Sequence, residues 1–341
     1  MSISQKQKDK IIHYMLDKIE MNENVVKKTI ECFKISHTTV YRYLKELEAA
    51  NLITKSKNGE YILVNTKSIF NFDNKNLEED SIYYNNIEKI IEDLPSNVRK
   101  IWTYAFTEMF NNAIEHSEAK KIKCVVYRNY INTVIIIVDN GIGIFKKIKE
   151  FYNFNSLDDA ISELFKGKLT TAREGHSGEG IFFTSRLMDV FMLFSDNKVF
   201  THDNHMECID NIDEYSELGE LLKGKGTLVF MSLDNTSHKE LREVFDNFSD
   251  VDGGLTKTSI PMKNVFGNAF PVSRSQARRL CNRLDQFKEV ELDFYDVDEI
   301  GQGFADELFG KFASRHPEVK LIVTNTNPFI TRMIAHIHKQ P

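Results

Sequence analysis

The chain has 341 residues, 41% of them hydrophobic and 28% charged, and a net charge of −6. This is the composition of a folded protein of two or three domains, not of a disordered chain, and its acidic balance excludes a uniformly basic nucleic-acid coat while allowing local basic patches. Cys32, Cys124, Cys208 and Cys281 lie far apart with no CxxC pair, so neither a disulfide framework nor a cysteine zinc site is expected, and a reducing compartment is. No apolar run approaches the roughly 20 residues of a membrane span, and MSISQKQKDK lacks the apolar core of a signal peptide. The expectation is a cytoplasmic protein with no membrane partner.

Charge and glycine divide the chain. Lys+Arg against Asp+Glu is 11 to 8 over residues 1–66, 21 to 32 over 67–254 and 12 to 10 over 255–341, and nine of the 16 glycines lie between Gly141 and Gly226. Tight ligand-binding turns concentrate glycine in this way. The expected organisation is an N-terminal unit over 1–66, a linker over 67–84 rich in Asn, Asp and Glu, a central domain over 85–250 and a C-terminal domain over 255–341.

In the N-terminal unit, Ile11, Ile12, Met15, Leu16 and Ile19 have helical spacing, and Val25–Phe33 fits a second helix. Ser36 can cap a third, with Val40, Leu44 and Leu47 on its apolar face. Asn58-Gly59 between two strand-like runs predicts a hairpin. Three helices followed by a hairpin resemble a bacterial winged helix-turn-helix. That resemblance implies double-stranded DNA as a partner, with Thr39 and Arg42 toward bases and Lys45, Lys55 and Lys57 toward phosphates. The same side chains also read as a solvated face on a winged helix used for protein contacts. So few cations bind DNA weakly as a single copy, which makes a homo-oligomer the expected binding form.

In the central domain, VRKIWTYAFTEMFNNAIEHS is an amphipathic helix with Glu108 and Asn112 one turn apart on one face. A carboxylate and an amide oxygen so placed can serve a water and a hard cation together. The apolar strand of VIIIVDNGIGI then ends in Asp139, with Gly141 and Gly143 in the following turn. Gly178 and Gly180 open a second helix, whose first amides suit an anion. Gly226-Thr227 opens a last strand.

This order of Glu-x-x-x-Asn helix, Asp-x-Gly-x-Gly turn, Gly-x-Gly helix start and Gly-Thr strand resembles the GHKL ATPase family over residues 85–235. The resemblance implies a Bergerat α/β sandwich that binds ATP and Mg²⁺. It implies Asn112 as the Mg²⁺ ligand and Glu108 as the catalytic carboxylate. Asp139 would be the adenine acceptor, with Gly141 and Gly143 shaping its pocket and Thr227 a second contact. Gly178 and Gly180 would face phosphate. Residues 145–177 would form the lid, with Lys166, Lys168 and Arg173 as its phosphate partners. His116 matches a basic position of the helix motif and reads equally as a structural histidine. His176 stands where the family often has glycine.

Beyond Val272, Ser273 or Ser275 can cap a helix through Phe287. Val290–Phe294 and Val319–Thr324 read as strands, and Gly303–Ala313 and Pro328–Ile337 as helices. The alternation implies a small α/β domain, and it resembles the STAS-like domain of unknown function that follows some GHKL modules. The loop Ile300–Gly303 has no hydroxyl, so phosphoswitching there is not expected. Arg274, Arg278, Arg279 and Arg283 read as a docking or nucleic-acid surface, or as a solvated face. Asp293, Asp296, Asp298 and Glu299 read as loop carboxylates.

The expected fold is thus multidomain α+β: winged helix, Bergerat sandwich, STAS-like domain. The expected function is a nucleotide-switched transcriptional regulator that binds ATP, with or without hydrolysis. Two alternatives stand beside it: a Ser/Thr protein kinase of the anti-sigma partner-switching type, and an interaction module with a structural ATP site, with a regulatory protein partner on the STAS-like domain. No helical hairpin carries a phosphoacceptor histidine, which argues against a histidine autokinase.

Overall fold

Apolar residues at helical and alternating spacing set most of the elements. The structure, a computed structural model, describes residues 4–169, 178–202, 225–250, 254–266 and 270–337. Helices α1 (Gln5–Glu20), α2 (Val25–Phe33) and α3 (His37–Ala49) are capped by Ser4, Asn24 and Ser36, each accepting a first-turn amide. Strands β1 (Ile53–Lys55) and β2 (Tyr61–Leu63) pair antiparallel, and Gly59 at the turn has φ +83°. Ile11, Met15, Leu16, Val40, Leu44, Leu47 and Ile53 form the core of this unit, completed by Ile131 from the central sheet.

The stretch expected as a linker is structured. Residues Thr66–Asp73 form strand β3, which pairs along its whole length with β4 (Lys121–Arg128). Helix α4 follows as Glu79–Ile82, a π turn Tyr83–Ile87 and Glu88–Ile91. Its Tyr83, Ile87 and Ile91 are buried in the central core, and the Tyr83 hydroxyl accepts from Thr103 Oγ1 at 2.8 Å. Asn71 and Asp73 sit on the solvent side, and Phe70 and Phe72 alternate with them toward the core.

The central sheet has six strands in the order β3-β4-β5-β8-β6-β7, all neighbours antiparallel. The remaining strands are β5 (Asn132–Asp139), β6 (Val190–Ser195), β7 (Lys198–Thr201) and β8 (Thr227–Asp234). Helix α5 (Ser96–Asn111, continued by a π turn Asn112–His116), α8 (Gly180–Leu187) and α9 (Leu241–Phe248) share one apolar core with one face of the sheet. Between β5 and α8 lie α6 (Ile144–Tyr152) and α7 (Leu157–Lys166).

The C-terminal sheet is parallel, in the order β11-β10-β9. Its strands are β9 (Lys257–Pro261), β10 (Glu289–Asp293) and β11 (Lys320–Thr324). The helices are α10 (Met262–Phe266), α11 (Arg274–Cys281), α12 (Gln302–Ala305, Asp306–Phe312 and Ala313–Arg315) and α13 (Pro328–Ile337). Two features depart from expectation. Helix α11 ends at Cys281 rather than Phe287, because Asn282 turns extended and Arg283 takes φ +60°. Strand β9 goes unread in the sequence, where Lys257, Thr258 and Ser259 dilute its hydrophobic signal. One continuous apolar core joins this unit to the central sheet.

Candidate functional site

Helix α5 turns Val98, Ile101, Trp102, Ala105, Phe106, Met109 and Phe110 into the core. Glu108 and Asn112 are left half-buried on its flank. They line a cavity of about 240 Å³ together with Asp139, Gly178, Gly180 and Thr227. Residues singled out from four separate stretches of sequence therefore meet at one place. Met109, Ile137, Ile148, Leu164, Leu193 and Val229 supply apolar walls.

At one end of the cavity, Asp139 is 7% exposed. Burial pushes its carboxyl up to about 6, against the opposing pull of hydrogen bonds from Gly141 and Thr227. The Gly141 amide donates to Asp139 Oδ1 at 2.8 Å, and Thr227 Oγ1 accepts from the Ile144 amide at 3.0 Å. The turn rests on the end of α5: Ile142 N donates to Ser117 O at 2.9 Å. A Cβ at Gly141 would lie 1.9 Å from that carbonyl, which requires glycine there. Gly143 precedes α6 with φ +90°. A buried carboxylate beside apolar walls can accept from a flat ring bearing an amino group.

At the other end, Gly180 begins α8 against Glu108. A Cβ on Gly180 would lie 2.1 Å from Glu108 Oε2, so any larger residue would have to push this carboxylate aside. Gly178 has φ +68°, and its carbonyl accepts from Leu169 N at 3.0 Å. Glu108 and Asn112 thus stand beside a helix start that can receive an anion, and together they offer oxygens for a hard cation and a base for a water.

Two expected phosphate partners lie elsewhere. Lys166 is fully buried, paired with Glu163 and donating to the carbonyls of Arg279 (3.3 Å) and Asn282 (2.7 Å). Lys168 donates to Gln286 O at 3.0 Å and lies over the Phe287 ring, so it too points at the C-terminal domain and not into the cavity. Lys166 is the last residue of α7, on a face turned away from the cavity that Leu164 lines, and the turn at Gly167 sends Lys168 toward the C-terminal domain. Arg173 and His176 lie outside the described residues. Among the described residues, the basic side chains that line the cavity are Lys147 and His116. Lys147, 3.3 Å from Glu118, went unread because IFKKIKEFY offers several lysines and no signal separates them. Ser117 and Ile144 act through backbone atoms, which sequence does not mark.

On the N-terminal unit, α3 buries Val40, Tyr43, Leu44 and Leu47 and exposes His37, Thr38, Tyr41, Arg42 and Lys45. Arg42 stacks over Tyr43 and lies 3.8 Å from Glu46. Thr39 is less free than expected, since its hydroxyl is 2.9 Å from the Ser36 cap. Lys55 lies over the Tyr61 ring and Lys57 is exposed at the hairpin tip.

Residues 1–101 match the family model of the Firmicute plasmid replication protein (RepL). Residues 276–330 match that of a STAS-like domain of unknown function (DUF4325). The two stretches leave residues 102–275 and 331–341 outside. Among curated proteins, none matches the chain. Among solved structures, the crystal structure of the Thermotoga maritima IclR is 11% identical over 71% of this chain and 92% of that one, with a TM-score of 0.18, a likeness that carries no argument. No helix of the described residues is long and apolar enough to cross a membrane.

Proposed function

We propose that this chain is an ATP-responsive, DNA-binding regulator. The observation that carries the nucleotide half is the convergence of Glu108, Asn112, Asp139, Gly178, Gly180 and Thr227 on one cavity. The residues fit such a ligand on their own terms: Asp139 is a buried acceptor, and Gly180 lets the Glu108 carboxylate sit against the start of α8 at the cavity wall. In this reading Asp139 and Thr227 hold the adenine edge, and the α8 amides face phosphate. Asn112 holds Mg²⁺, which would draw charge off the phosphates. Glu108 orients a water or a hydroxyl. Lys147 takes the role expected of Lys168. The DNA half is supported by the uncovered face of α3 and by the match of residues 1–101 to a plasmid replication protein.

The test is incubation with Mg²⁺ and ATP labelled at the terminal phosphate, separating free phosphate from phosphoprotein. A rise in melting temperature with ATP and Mg²⁺ is expected, as for any ligand of the native state. Phosphate release that Glu108→Ala abolishes supports a hydrolytic switch, and label on a partner chain supports the kinase alternative. Absence of both binding and turnover removes the nucleotide half.

A further inference from the structure

The C-terminal domain holds a second cavity, of about 300 Å³, which the nucleotide reading does not use. Arg278, Arg283 and Arg315 line it, with Asn282 and His316. Its carboxylates are Glu307 and Asp285. The charge of Glu307 is matched twice, by Arg278 Nε at 2.8 Å and by Lys311 Nζ at 3.2 Å. Asp285 is exposed at the rim. Arg315 is exposed and has no acidic or hydrogen-bonding partner among the described residues. Arg278 uses only its Nε, which leaves the two terminal nitrogens of its fork. Guanidinium forks match phosphate oxygens in pairs, and a cavity of this size lies at the lower end of small-ligand pockets.

We propose that this cavity binds a small phosphate-bearing ligand, inorganic phosphate or a phosphomonoester, and that Arg283 passes its occupancy to the first pocket. Arg283 NH1 donates to Glu163 Oε2 at 3.0 Å, and NH2 donates to the carbonyl of Lys168. Lys168 immediately precedes Leu169, which lines the first cavity. An anion that draws on the Arg283 fork competes with Glu163 and the Lys168 carbonyl, and so shifts the segment that forms the pocket wall. This second step rests on the nucleotide reading; the first does not.

The test uses the full chain at about 0.15 M salt, where weak surface attraction is screened, with inorganic phosphate and glucose 6-phosphate as probes and glucose as control. The expected result is saturable binding by calorimetry, weakened at least about tenfold in Arg315→Ala, since a charged hydrogen bond is lost, and unchanged in Asp139→Asn. Preference for either probe supports the site and identifies the source of the phosphate. No saturable binding, or binding lost in Asp139→Asn and kept in Arg315→Ala, overturns it. For the second step, a saturating probe should change ATP affinity by the factor by which ATP changes the probe's own affinity, and Arg283→Lys should remove that coupling. ATP affinity indifferent to the probe overturns the coupling. If ATP does not bind at all, the proposed function fails, while the Arg315→Ala comparison still decides the phosphate site.

Discussion

Asp139 is the residue on which the nucleotide reading can be tested by pH. Its carboxyl is raised to about 6 in the folded chain from an ordinary value of 3.8. The folded state therefore holds this proton more tightly than the unfolded state. The stability it contributes is complete below pH 3.8 and is lost as pH rises through about 6. An amino group bonded to the carboxylate favours the ionised form, so binding should tighten with rising pH and level off above about 6. Titration calorimetry at pH 5, 6 and 7 should show weakening of up to about tenfold per unit below 6, with proton release on binding. Asp139→Asn should weaken ATP by on the order of 10- to 100-fold, the loss of one charged hydrogen bond, and should flatten this pH profile. Gly180→Ala, which sets a methyl against Glu108, should reduce ATP binding by a similar factor and leave the far-ultraviolet spectrum unchanged. Glu108, Asn112, Asp139 and the glycines were legible because each sits at a fixed spacing within a short motif. Lys168 was misplaced because a lysine in a loop carries no record of which way the turn sends it.

At the scale of elements, the junction between α7 and the C-terminal domain is a buried ionic cluster. Glu163 is held by both Lys166 and Arg283, and the side chains of Lys166 and Glu163 are 0% and 3% exposed. Arg279 adds a contact to Asp159 at 3.4 Å. Removing the one carboxylate that both cations share leaves Lys166 as an uncompensated buried charge. Glu163→Ala should therefore cost about 3–5 kcal/mol in urea unfolding, whereas Arg242→Ala, an exposed pair at 3.4 Å from Asp246, should change stability by less than about 1 kcal/mol. A value for Glu163→Ala as small as that for Arg242→Ala would remove the junction's role. The amphipathic helices of the N-terminal unit were legible from period and cap together; α2 spans the residues its pattern marks. Strand β3 was not, because half of its residues face solvent on a sheet edge and its Asn and Asp read as linker. The end of α11 was not, because the left-handed Arg283 is fixed by its tertiary partners.

At the scale of the molecule, the N-terminal unit packs directly on the end of the central sheet. Strand β2 ends at Leu63 and β3 begins at Thr66, and Asn132 Nδ2 donates to Glu20 Oε1 at 2.6 Å. Ile131 inserts from the β4–β5 turn into the unit's core. Ile131→Ala should cost on the order of 2–4 kcal/mol, and hydrogen exchange should quicken in residues 11–63 while the central sheet is unaffected. Strand β5 has 8 residues, so its N-terminal end, at this junction, lies about 24 Å from Asp139 at the pocket. The proposed switch thus reaches the N-terminal unit through the sheet, not by direct contact with the pocket. The most direct test of an ATP-responsive DNA-binding regulator is selection from random duplexes by the full chain, with and without ATP and Mg²⁺. The account predicts enrichment of a site with repeated half-sites that changes with nucleotide and is reduced in Arg42→Ala; no enrichment under either condition, or enrichment identical in both, would contradict it.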